Sequence, residues 1–379
     1  MTRLLRNSGR GPLPRSTAPS GEPLAYHRRL PGYQPTPLVD APRLARRLGV
    51  GRVSVKDESA RLGLPSFKIL GASWATYCAL RERFPERLDG WETFDELAAR
   101  TRMLGPLTLA AATDGNHGRA LARIAALLGL TARIYVPAGT AQAQIDAITG
   151  EGAAVTVVDG TYGDAVARSA ADADDRCLVV SDTSWPGYED TPRRVIDGYS
   201  TILCEIDDQL EARGWSPPDV VFVQIGVGAL AAAVIRHVRR RDSNPLIIGV
   251  EPVDAACALA SAEAGAIANV PGPHRSIMAG LNCDAPSLVA WPTLYTGIDW
   301  FLALDDTWAA EGVRALADEA IVAGETGAAG AAGALALATE PTSPQDIGLH
   351  PQAHLLVLCT EGATDPETYA ASTGDCMAS

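Results

Sequence analysis

Between residues 107 and 181, apolar strands and Ala-rich helices alternate without a break. A strand at 107–113 runs into Asp114-Gly115-Asn116-His117-Gly118-Arg119 and a helix at 120–130. A strand at 132–136 leads through Pro137-Ala138-Gly139-Thr140 to a helix at 141–149. A strand at 154–158, a helix at 162–173 and a strand at 177–181 follow. Strands joined through helices must run parallel, so the order implies an α/β sheet with helices on both faces. Right-handed crossovers then bring the loops after the strands to one rim.

Asp182-Thr183-Ser184-Trp185-Pro186-Gly187-Tyr188 breaks this alternation and reads as the return from a small domain. The remaining elements suit a second sheet. A strand at 220–224 precedes Gly226-Val227-Gly228-Ala229 and an Ala-rich helix, and a strand at 246–250 ends in Glu251-Pro252. Gly324-Glu325-Thr326-Gly327 opens a Gly/Ala helix, and the last strand, 354–358, ends in Cys359-Thr360-Glu361-Gly362. The expected division is a disordered tail at 1–23, a large domain at 24–71 and 190–379, and a small domain at 72–189.

Composition narrows the function. At 379 residues the chain is long enough for two domains with a sizeable core. A charged fraction of 20% beside 47% AVILMFWYC is globular rather than disordered. The formal net charge of -13 argues against nucleic acid or an anionic membrane as a partner. No apolar run approaches a membrane span. The seven cysteines show no zinc-ribbon or disulfide-scaffold spacing, which suits a reducing cytoplasm. Cys257 and Cys283, on either side of Ser276-Ile277-Met278-Ala279-Gly280-Leu281, are candidates to approach each other; in a reducing cytoplasm two free thiols are the alternative to a bond between them. The first 23 residues carry Arg3, Arg6, Arg10 and Arg15 without an apolar core, so they do not read as a secretory signal; a transit peptide is the alternative to a disordered tail.

Three corners carry candidate chemistry. In Pro65-Ser66-Phe67-Lys68-Ile69-Leu70-Gly71 one lysine sits where a strand and loop give way to an apolar helix. Desolvation there disfavours the ammonium and frees an amine for Schiff-base chemistry. The alternative is a lysine that snorkels from a helix start. Gly226-Val227-Gly228-Ala229 can cradle a phosphate at a helix N-terminus. It also suits a dinucleotide, with Glu251 at the next strand end. Asn116 can bond a ligand hydroxyl or cap its helix. His117 is read as structural, since no second His or Cys lies at ligand spacing for a metal.

Ser66-Phe67-Lys68-x-x-Gly71, Asp114 to Arg119, Gly226 to Ala229 and Cys359-Thr360-Glu361-Gly362 together resemble pyridoxal-phosphate enzymes of the tryptophan-synthase-β fold type. Val55-Lys56-Asp57-Glu58-Ser59, Asp182-Thr183-x-Trp185-x-Gly187-Tyr188, Ile277-Met278-Ala279-Gly280-Leu281 and Thr360-Glu361-Gly362-Ala363-Thr364-Asp365-Pro366 sharpen the resemblance to the diaminopropionate ammonia-lyase family. It spans residues 26–369. The resemblance implies pyridoxal-phosphate fold type II: two open parallel-sheet domains with the active site in the cleft between them. It implies pyridoxal 5'-phosphate as cofactor, a small amino-acid substrate and a homodimer.

Carried over residue by residue, Lys68 would hold the cofactor as a Schiff base, with Phe67 against the ring region. Asn116 would bond the ring hydroxyl, and Gly226, Val227, Gly228 and Ala229 the phosphate. Cys359 would face the pyridine nitrogen, with Thr360 as the fallback. Asp114 and Asp182 match two acids near the substrate. The implied reaction removes ammonia from 2,3-diaminopropionate to give pyruvate. The alternatives are serine or threonine dehydration, β-replacement on the same chemistry, or a non-catalytic cofactor-binding homologue. The chain departs from the family pattern at Pro65-Ser66, at Ala72, at Ala229 where Ser is frequent, and at Cys359 where Ser is frequent.

Overall fold

The computed structural model describes residues 2–13, 21–113, 115–240, 244–339 and 347–374. Asp114 lies outside the described residues. The strands are β1 (Arg3–Arg6), β2 (Leu38–Asp40), β3 (Arg52–Asp57), β4 (Thr108–Ala112), β5 (Thr131–Pro137), β6 (Ala154–Val158), β7 (Cys177–Val179), β8 (Val220–Gln224), β9 (Leu246–Pro252), β10 (Trp300–Leu304) and β11 (His354–Cys359). The chain divides into two units. One comprises residues 1–20, 35–61 and 202–379, and the other residues 21–34 and 62–201. These bounds differ from the sequence-based ones at both ends of the smaller unit, and Lys68 belongs to the 62–201 stretch.

In the first unit, seven strands follow the order β1-β10-β9-β8-β11-β3-β2. The five inner strands are parallel, while β1 and β2 pair antiparallel at the edges. Strand β8 is buried along its whole length, as expected of a central parallel strand covered on both faces. Against this sheet lies the helix Glu325–Thr339, built from Gly, Ala and little else over its middle. Its small residues allow close approach. A Cβ on Gly333 would lie 2.8 Å from Val250 Cγ2, and one on Gly312 of the neighbouring helix 2.8 Å from the Ala328 carbonyl. A stretch of Ala without bulky side chains is thus pressed into the core by neighbours that need the space.

The second unit holds the parallel sheet β6-β5-β4-β7. The helix Asn116–Leu128 follows β4. A Cβ on Gly118 would meet Thr113 Cγ2 at 2.3 Å and Ile134 Cγ2 at 2.8 Å, so the helix start can sit this low only with glycine there. The helix Lys68–Arg83 is buried over most of its first three turns. Gly71 performs the same service here, since its Cβ would lie 2.5 Å from the Tyr199 ring.

Two features depart from the sequence reading. Residues 3–6 are not disordered tail: they form β1, and the Asn7 amide then donates to the Tyr295 and Ile298 carbonyls, each at 2.7 Å. An Arg-flanked pair of leucines is too short a pattern to announce an edge strand. Strand β10 and the helix Asp306–Ala317 were not recognised, and both lie in the first unit's core. The stretch around Ile277 is a single 3₁₀ turn, Ala279–Leu281.

Candidate active site

Lys68 is the first residue of its helix, directly after Phe67 in the N-cap position. Its Nζ donates to Asp182 Oδ2 at 2.8 Å, with the lysine side chain 24% exposed and the aspartate 8%. The sequence suggested an amine among apolar neighbours. The structure supplies a carboxylate instead, and an ammonium at this distance favours the ionised form of Asp182. Burial alone would raise the Asp182 carboxyl, but Lys68 and His117 beside it outweigh that and hold it down at about 2. Asp182 is therefore a carboxylate at any physiological pH.

The surroundings of Asp182 are fixed from several sides. The Tyr188 hydroxyl donates to the Val179 carbonyl at 2.8 Å and accepts from the Ser181 amide at 2.9 Å, which pins the turn just before Asp182. Trp185 stacks on Tyr188 with ring centroids 4.1 Å apart. His117 Nε2 donates to the Val180 carbonyl at 2.7 Å. Its Nδ1 is buried, has no hydrogen-bond partner among the described residues, and lies 3.9 Å from Asp182 Oδ2. His117 thus stands at the site, next to the carboxylate. The signal was its place one residue after Asn116, on the same strand-to-helix corner.

That corner is shaped by Thr113, whose Oγ1 accepts from the Gly115 and Gly118 amides at 2.9 and 3.2 Å. Gly115, not Asn116, is the N-cap residue of the helix, and Asn116 is half-buried at its first position. Helix capping is therefore not the role of Asn116. Phe67 packs edge-on against Tyr199, with centroids 4.7 Å apart.

The first unit carries the glycine loop. Gly228 has φ +93° and is the N-cap of the helix Ala229–Val238, which has no side-chain cap. Its Cβ would lie 2.6 Å from Leu294 Cδ2, and that of Gly226 3.0 Å from the Gly280 carbonyl and 3.2 Å from Cys283 Sγ. With no side-chain cap, a helix start of this kind favours an anion through its amides and its dipole. Glu251 settles the competing dinucleotide reading. Its carboxyl group is fully buried, is pushed up to about 8 by that burial, and accepts from the Ala258 and Leu259 amides at 2.7 and 2.8 Å. It caps the helix Cys257–Ala264 and so does not stand in position for a ribose. Cys257 and Cys283 are free thiols and both neighbour Gly226.

At the end of β11, Cys359 is fully buried, with Sγ 3.5 Å from the Glu361 carbonyl. Burial first, then the nearby Asp57 and Glu361 carboxylates, push this thiol well above its usual range. Thr360 Oγ1 accepts from Gln224 Nε2 at 2.9 Å. Gln224 escaped the sequence reading, although it is the one polar residue in Val220–Gln224.

Lys68 has a single rival. The chain contains two lysines, and the other, Lys56, is fully buried. Lys56 Nζ donates to Glu205 Oε2 and the Thr36 carbonyl at 2.7 Å and to Gln209 at 3.0 Å. Only Lys68 presents an amine that a ligand can reach. A partly exposed amine beside a carboxylate suits an aldehyde cofactor, and the uncapped helix start after Gly228, in the other unit, suits a phosphate group.

Comparison with known proteins agrees. The model of the family described as pyridoxal-phosphate dependent enzyme matches residues 29–349. The diaminopropionate ammonia-lyase of Escherichia coli (strain K12) is 38% identical over 355 residues, 91% of this chain and 88% of that protein. The enzyme of the same name from Salmonella typhimurium is 35% identical over 365 residues, 92% of this chain and 90% of that protein. The crystal structure of the holo form from Escherichia coli superposes with a TM-score of 0.90 at 34% identity, over 98% of this chain and 96% of that one.

Proposed function

Since the chain belongs to the pyridoxal-phosphate dependent enzymes of fold type II, and among them to the diaminopropionate ammonia-lyase family, we propose that it cleaves 2,3-diaminopropionate. One substrate molecule and one water give pyruvate and two molecules of ammonia. The observation that carries the reading is the pair formed by the one reachable lysine and an ionised carboxylate, 2.8 Å apart.

Bound pyridoxal phosphate supplies an electron sink for the charge left when the α proton departs. The chain's own residues do the rest. Lys68 holds the cofactor aldehyde and exchanges protons with Asp182. The amides of Gly226, Val227, Gly228 and Ala229 hold the phosphate, Asn116 the ring hydroxyl, and Phe67 lies against the ring region. Asp182, held ionised, takes up a proton and attracts the second ammonium of the substrate. Asp114 is given the parallel role on its place in the Asp-Gly-Asn-His-Gly stretch. For the ring nitrogen Thr360 is the better partner, because the Cys359 thiol already faces the Glu361 carbonyl. The proposal includes a homodimer in the cytoplasm, on the family resemblance and on described cysteines that are all free.

The test is release of ammonia and pyruvate from D- and L-2,3-diaminopropionate, serine and threonine by the purified, cofactor-loaded protein. Diaminopropionate is expected to give the highest kcat/KM. Serine or threonine in first place would replace this reading with a dehydratase.

A further inference from the structure

Gln224 closes β8 two residues before Gly226, and its side chain is buried. Around its Nε2 lie Thr360 Oγ1 at 2.9 Å and the carbonyls of Thr326, Leu358 and Gly327 at 3.0, 3.1 and 3.3 Å. All three backbone groups only accept, so the amide cannot be turned over: its oxygen would then face three carbonyl oxygens. Its own Oε1 has no hydrogen-bond partner among the described residues. The orientation is thus dictated by the nitrogen side alone.

This has a consequence for Thr360, which is 2% exposed. A hydroxyl carries one proton and two lone pairs. Gln224 occupies a lone pair, and among the described residues no hydrogen bond takes the proton. A buried hydroxyl of this kind is set to donate to a ligand acceptor. An unprotonated pyridine nitrogen is such an acceptor, whereas a pyridinium N–H would compete with Gln224 for the oxygen and leave the hydroxyl proton stranded.

We infer that Gln224 is a positioning residue: it turns Thr360 into a hydrogen-bond donor and so keeps the cofactor's ring nitrogen unprotonated. The inference rests on the cofactor reading above and concerns only residues of the glycine-loop unit. It adds to that reading the group that fixes the direction of one proton.

The experiment loads the full-length protein with pyridoxal phosphate labelled with ¹⁵N in the ring and records the nitrogen resonance. The wild type is expected to give a hydrogen-bonded, unprotonated pyridine. Gln224→Leu and Thr360→Val are each expected to move that resonance, and the double variant to match Thr360→Val, since Gln224 acts through the hydroxyl. Thr360→Ser is expected to restore the wild-type position. A pyridinium resonance in the wild type overturns the inference, as does a resonance that Gln224→Leu leaves in place. If Gln224→Leu does not fold, an unchanged resonance in Thr360→Val overturns it equally. A protein that gains no visible absorption on loading overturns the proposed function as well; absorption with a pyridinium resonance overturns the inference alone.

Discussion

The two lysines make nearly the same bond and serve opposite ends. Lys56 meets Glu205 at 2.7 Å and Lys68 meets Asp182 at 2.8 Å. Around Lys56 every charge is spoken for. Arg61 binds Glu58 at 2.6 Å and Glu205 at 2.7 Å, Thr36 donates to Glu58, and all four ionic side chains are 0–2% exposed. Around Lys68 the carboxylate also faces a histidine nitrogen with no hydrogen-bond partner among the described residues, and the amine is a quarter exposed. An ion pair becomes structural when its groups are saturated and sealed, and chemical when one of them can be reached. The Val55-Lys56-Asp57-Glu58-Ser59 stretch, which marks the family in sequence, belongs to the first kind.

Breaking each pair should therefore give different losses. Asp182→Asn keeps the shape and removes the base, so kcat is expected to fall by about 10²–10⁴-fold. Visible cofactor absorption should persist, because Lys68 is intact. Full activity in this variant, measured on both substrate enantiomers, would assign the proton transfer elsewhere. Lys56→Met should act on stability instead. Removing one partner of a buried pair costs about 3–5 kcal/mol, and Arg61 keeps Glu205 partly compensated, which favours the lower end. Chemical denaturation measures this loss, and the folded fraction should keep its turnover.

The smallest expected effect is in acid. The folded Asp182 carboxyl, at about 2, lies below the ordinary aspartate range near 3.9. A depressed carboxyl contributes stability that is complete above the unfolded value and fades as pH falls through the folded one. The stability gap between wild type and Asp182→Asn should hence be constant above about pH 5 and close toward pH 2. A gap that widens in acid would contradict the assigned ion pair.

Many of the candidate residues are legible in sequence, because strand-to-helix corners announce themselves there. Lys68, Asn116 and Gly226 to Ala229 each follow a strand and open a helix, and the structure keeps them there. Even so, the corner at Lys68 looked apolar. Its carboxylate partner is 114 residues away in the chain, and no local pattern carries such a pairing. Gln224 was hidden for a related reason: its four acceptors come from two other segments, around Thr326 and Thr360. Strand β10 is hard to read in sequence because it is only five residues long and its apolar run does not alternate. One signal needed no structure at all, namely that the whole chain has only two lysines.

That scarcity makes the central claim directly testable. The cofactor-loaded protein is reduced with borohydride, digested, and the pyridoxyl group located by mass spectrometry. The account predicts modification on the peptide that contains Lys68 and none on Lys56. A pyridoxyl group on Lys56, or a folded Lys68→Ala variant that still traps the cofactor covalently, would contradict it.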